Sequence, residues 1–151
     1  MTAVVISRSL TAEMGEEFAY QFARDFKAYK SDQAENYGVI FGRDKGFLYP
    51  DIVVKNGLQH VHLVQESVLS DWKQRWIDQE PQENFTSNKI LVYGQMTEVS
   101  FTPHLLLTIL DPGGHAQMSD IERMKAVGEE FEEEYFRYSS RLPSDKWVIV
   151  K

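Results

Sequence analysis

The chain has 151 residues, 42% hydrophobic and 26% charged, which suits one globular domain with a core of its own. It contains no cysteine, which excludes disulfides, thiolate catalysis and Cys-rich zinc sites. The net charge of −7 argues against a grip on free nucleic acid, and no apolar run reaches the length of a membrane span.

Residues 1–6 carry neither the basic region nor the apolar stretch of a signal peptide, so a cytoplasmic protein is expected. Residues 3–7 suit a short first strand. Thr11 reads as the N-cap of a helix, with Glu13, Glu16 and Glu17 at the positive end of its dipole. Met14, Phe18, Phe22, Phe26 and Tyr29 recur at helical spacing, and the helix is expected to end near Ser31. Two glycines make residues 37–44 read as a turn-rich segment.

The pair Asn56-Gly57 between apolar runs predicts a hairpin of strands 47–55 and 58–64. Alternation on the second strand sends Val61 and Leu63 to the core, and His60 and His62 together to the other face. Residues 67–88 read as a long connection holding a short helix with Trp72, Trp76 and Ile77, followed by Pro81. Residues 90–97 and His104–Leu110 suit two more strands, the second stopped by Asp111-Pro112-Gly113-Gly114. Ser119 and Glu122 fit a capping box ahead of a second helix. Its stripe runs through Ile121, Met124, Gly128, Phe131, Tyr135 and Tyr138, and Pro143 is expected to end the region. Trp147-Val148-Ile149-Val150 suits an edge strand or a partner-binding tail. The expected architecture is α+β, a mainly antiparallel sheet of about four or five strands with flanking helices.

Candidate chemistry centres on the histidines. Two imidazoles on one strand face suit paired proton transfer or metal binding. Arg43 offers a planar, permanently charged group for phosphate, with Asp44 as a candidate to orient it or a neighbouring histidine. His115 follows a Gly-Gly turn and His104 starts a strand, where a structural or exposed role is expected. Lys27 and Lys30 could add positive charge, and Tyr93 could stack on a base or fill the core.

Several pieces taken in order resemble the YafO family of bacterial type II toxins. They are Asp25-Phe26-Lys27-Ala28-Tyr29-Lys30, Ile40-Phe41-Gly42-Arg43-Asp44, His60-Val61-His62-Leu63 and Leu91-Val92-Tyr93. Leu105-Leu106-Leu107-Thr108-Ile109-Leu110, Pro112, His115 and the Met124, Gly128, Phe131 spacing complete the set, over about residues 22–135. The resemblance implies a RelE-like α+β fold spanning residues 1–151 as one toxin domain, with a tail over 139–151. It also implies a ribosome-dependent mRNA interferase that cuts translated mRNA, stops translation and is held inactive by a cognate antitoxin. His60, His62 and His115 are then the proton-transfer candidates, Arg43 stabilises charge on the pentacovalent phosphate, and Asp44 orients. Lys27, Lys30 and Tyr93 become RNA-binding candidates. Such cleavage by the 2′-hydroxyl needs no metal or other cofactor.

Two alternatives stand beside this. The domain could be a non-catalytic binding module or degenerate toxin whose apolar tail adds a strand to a partner. His60, His62 and Glu66 also resemble the first metal motif of the cupin family, and Pro112-x-Gly114-His115 its second, which would suit a metal-dependent enzyme.

Overall fold

The computed structural model describes residues 2–141 and 147–151. A six-stranded sheet, in the order β2-β3-β4-β5-β1-β6, forms the middle layer. The strands are β1 (Val4–Ile6), β2 (Phe41–Gly46), β3 (Gln59–Leu63), β4 (Ile90–Gln95), β5 (His104–Leu110) and β6 (Val148–Val150). Only β1 and β5 run parallel; the other four neighbouring pairs are antiparallel. The α+β class is as expected from the sequence. The last strand of the six comes from the tail, which pairs with β1 as an edge strand.

Helices α1 (Arg8–Met14) and α2 (Glu16–Ser31) cover one face, with the short α3 (Gln33–Asn36) after them. Phe22, Phe26 and Tyr29 of α2 pack there on Phe41, Val61, Leu63, Leu91, Tyr93 and Leu106. The opposite face carries α4 (Asp51–Lys55), α6 (Gly114–Ser119) and α7 (Ile121–Ser140). Val53, Met124, Val127 and Phe131 pack there on Leu58, Ile90, Val92, Leu105 and Leu107. Helix α5 (Leu69–Ile77) lies in the long connection, between one-turn helices at Glu66–Val68 and Gln82–Asn84. Its Trp72 is buried against Phe85, with ring centroids 5.6 Å apart, and its indole N–H donates to the Thr86 carbonyl at 2.9 Å.

Local chemistry moves several expected boundaries. The first N-cap is Ser7, whose hydroxyl accepts the Leu10 amide at 3.1 Å and donates to the Leu107 carbonyl at 2.7 Å. Thr11 is buried inside α1. Because Gly15 (φ +84°) separates α1 from α2, the helical phase restarts. The buried stripe of α2 is therefore Ala19, Phe22, Ala23, Phe26 and Tyr29, and Phe18 faces solvent. The cap of α7 is Asp120, which accepts the Arg123 amide at 3.2 Å, while Ser119 ends α6. Ile121 at the start of the α7 stripe is exposed. Pro143 lies outside the described residues.

The largest revision concerns Asn56-Gly57. Residues 51–55 form α4, not a strand, and the glycine ends that helix. The Gly57 N–H donates to the Val54 carbonyl at 3.0 Å and the Leu58 N–H to the Val53 carbonyl at 3.2 Å. With Gly57 at φ +63° and Val53 and Leu58 buried in the same cluster, this is a Schellman helix end. The strand that pairs with β3 is β2, drawn from the segment expected to be turn.

Candidate functional site

Register places the site. Phe41 pairs with Leu63 and Asp44 with Val61, so β2 spends three residues where β3 spends two. The extra residue falls at Gly42–Arg43 and makes a β-bulge, which reverses the alternation of the strand. Without it, Arg43 would share the face of Phe41, and Asp44 would lie beside the histidines.

The bulge is held from outside the sheet. Arg43 N–H donates to the Phe85 carbonyl at 2.9 Å, and Gln82 Nε2 donates to the Gly42 carbonyl at 2.7 Å. Both backbone groups released by the bulge thus find partners in the 82–85 segment. Residue 42 must be glycine for this approach. A Cβ there would run into the Phe85 carbonyl and come within 2.7 Å of the Trp72 ring.

Arg43, Lys45, His60 and His115 line an open cleft of about 700 Å³ with residues 46–49, Met118 and Ser119. His60 and His62 lie on one face of β3 with ring centroids 6.0 Å apart, and His115, at the start of α6, is 5.3 Å from His62. Phe47 packs on His60 at 4.7 Å. His60 Nδ1 is enclosed without a hydrogen-bond partner, which leaves Nε2 as its nitrogen open to the cleft. Burial pushes both His60 and His62 down to about 4, so both rings are neutral at pH 7.

Ser87 connects two of the rings. Its main chain meets His62 Nδ1 twice, with the amide nitrogen at 2.9 Å and the carbonyl oxygen at 3.0 Å. His115 Nε2–H donates to the Ser87 carbonyl at 3.0 Å. Asn88 then sets the start of α6, accepting the His115 amide on Oδ1 and the Gly114 amide on its carbonyl, each at 2.9 Å.

The bulge sends Asp44 to the opposite face, so it is not an orienter in contact with Arg43 or the histidines. Its side chain, 2% exposed, accepts from Tyr29 Oη at 2.7 Å, Tyr93 Oη at 2.7 Å and Lys30 Nζ at 3.1 Å. Gln82 Nε2 also donates to Tyr29 Oη, at 2.7 Å. Burial, and then the Asp44 carboxylate, push both phenols up. Tyr93 and Lys30 are consequently part of an internal network, away from the cleft. Lys27 lies on the same far side and donates to the Lys151 carbonyl at 2.7 Å. His104 packs on Phe26 and Tyr93 at 5.6 and 5.8 Å, and burial pushes it down to about 4.

Glu66 is exposed in its one-turn helix, and among the described residues no three His, Asp or Glu side chains are arranged to hold a metal ion. The alternative metal site of His60, His62 and Glu66 is not assembled among these residues. Lys45, Phe47 and Ser87 went unrecognised in the sequence. Lys45 would have followed from strand alternation with Arg43 once β2 was recognised, whereas Ser87 acts through its main chain and leaves no side-chain signal.

The family model described as "Toxin YafO, type II toxin-antitoxin system" matches residues 27–138. No curated protein and no solved structure matches the chain.

Two outcomes follow from this geometry. Gly42→Ala should destabilise the fold by about 1–3 kcal/mol, the usual range for overpacking. Equilibrium urea denaturation checks this, and an unchanged midpoint would mean the bulge accommodates a side chain. The second concerns pH. His60, His62 and His104 have folded-state values near 4, below the ordinary 6.5, so folding favours their neutral forms. Their contribution is fully present above about pH 6.5 and is lost as pH falls towards 4. The urea midpoint should drop across that window, and drop less in His62→Gln.

Proposed function

The chain belongs to the YafO family of type II toxin–antitoxin toxins, and we propose that its cleft cuts translated mRNA on the ribosome. The observation that carries this is the lining. In a chain of net charge −7, the cleft gathers Arg43, Lys45, His60 and His115 and, among the described residues, no carboxylate. A concentrated positive site in an acidic chain suits an RNA backbone that another particle presents. The ribosome fills that role, so the chain needs no basic surface for free RNA. As a type II toxin it has a cognate antitoxin.

The reaction is transesterification at one phosphodiester. His60, neutral at pH 7 through burial, takes the 2′-hydroxyl proton on Nε2. The 2′-oxygen bonds to phosphorus, and the bond to the 5′-oxygen breaks. His115 supplies a proton to that leaving oxygen. The products are a 2′,3′-cyclic phosphate and a 5′-hydroxyl. Arg43 and Lys45 stabilise the negative charge that grows on the pentacovalent phosphate. His62 acts as a positioning residue, because Ser87 ties it to His115. No step calls for a metal.

Inducible expression in bacteria without antitoxin tests this, with primer extension on an abundant message. The wild type should arrest growth and create new 5′ ends inside coding sequence, and none in the same message lacking a start codon. Arg43→Ala and His60→Ala should each reduce cutting by about 100-fold or more while remaining folded. Unimpaired arrest and cutting by both variants would remove the reaction from this cleft.

A further inference from the structure

The polar lining accounts for only part of the cleft. The loop after β2 brings Leu48, 93% exposed, and Tyr49, 49% exposed, to the same concavity as Arg43 and Lys45. Met118 and Ser119 at the end of α6 contribute to its lining as well. A volume of about 700 Å³ is far more than one phosphate group needs and falls in the range of sites that enclose a whole small ligand. Leu48 and Tyr49 are neighbours in sequence and place exposed apolar surface beside the two cations. Cations and an open aromatic ring within one concavity match the two chemistries of a nucleotide, a phosphate and a flat π-face.

We propose that Tyr49, with Leu48 beside it, forms a nucleobase subsite next to the phosphate held by Arg43 and Lys45. The inference rests on the reading of the cleft as an RNA site and adds a specificity element to it. The base stacks on the open face of the Tyr49 ring, and Met118 closes the subsite from α6. The Ser119 hydroxyl has no hydrogen bond among the described residues and is available to a base edge. Phe47 is excluded from the stacking role because it is already packed on His60. The base so held fixes which nucleotide lies beside the scissile phosphate.

The test uses the full chain and two probes, 5′-AMP and ribose 5-phosphate, titrated by NMR. The wild type should bind 5′-AMP on the order of 10-fold more tightly, the range of one base–aromatic stack. Tyr49→Ala should abolish that ratio while keeping ribose 5-phosphate affinity, and Tyr49→Phe should restore it. Equal binding of the two probes by the wild type, a ratio that survives Tyr49→Ala, or no binding of either probe overturns the subsite. Arg43→Ala should weaken both probes alike and leave their ratio unchanged. If it weakens neither, the phosphate reading of the cleft fails, while the Tyr49 ratio still stands or falls by itself.

Discussion

The hydrogen bond from the Arg43 amide to the Phe85 carbonyl holds an extra residue in β2, and the face presented by every later residue of that strand depends on it. Side-chain alternation has a period of two, so one added residue exchanges the two faces. Here the exchange separates two opposite charges that are neighbours in sequence. Arg43 enters the cleft with His60, and Asp44 turns under α2. The connection carrying α5 and the 82–85 segment is thereby more than a loop. It supplies the Phe85 carbonyl, the Gln82 amide and the Trp72 ring that packs where Gly42 has no side chain. It also covers the outer edge of β2, where open backbone groups would invite pairing with another chain.

The far face explains how the Asp44 carboxylate is kept out of the cleft. Asp44 is enclosed by two phenols and the Lys30 ammonium, so its carboxylate is satisfied where it lies. A buried ion pair of this kind contributes little net stability against an apolar replacement, but losing one partner leaves an uncompensated charge. The network therefore acts mainly as a lock. Gln82 extends it, since its Nε2 bonds both Tyr29 Oη and the Gly42 carbonyl, and Gln33 donates to its Oε1 at 3.0 Å. Helix α2, the bulge and the long connection are joined through that one amide. On the cleft side, burial keeps His60 and His62 neutral, which maintains a proton acceptor beside two cations at neutral pH.

What could be read from the sequence was what depends on local periodicity. Alternation at Val61 and Leu63 against His60 and His62 is found as expected, and so are strand His104–Leu110 and the stripe through Met124, Gly128 and Phe131. Asn56-Gly57 misled because a hairpin turn and a Schellman helix end both demand a glycine at positive φ, and only tertiary packing separates them. The only local mark of the bulge is Gly42, which reads equally as a turn, since its partners lie some forty residues away at Gln82 and Phe85. Asp44 was expected in a turn beside Arg43, and the unread strand β2 with its bulge turns it to the opposite face. Tyr93 fills the core, one of the two roles open to it in the sequence, and with Lys30 it meets Asp44, whose position depends on the bulge. The main-chain groups of Ser87 that tie His62 to His115 lay beyond any side-chain pattern.

Proton transfer between imidazoles and the substrate's own hydroxyl, as proposed for this cleft, leaves a signature on the cut RNA. The direct measurement is the chemistry of the RNA ends. Programmed ribosomes and message would be isolated, the purified chain added, and the fragments analysed both with and without a transition-metal chelator that spares magnesium. The expected fragments carry 2′,3′-cyclic phosphate and 5′-hydroxyl ends, formed at the same rate in both conditions. Fragments ending in 3′-hydroxyl and 5′-phosphate, or cleavage abolished by the chelator, would contradict that mechanism.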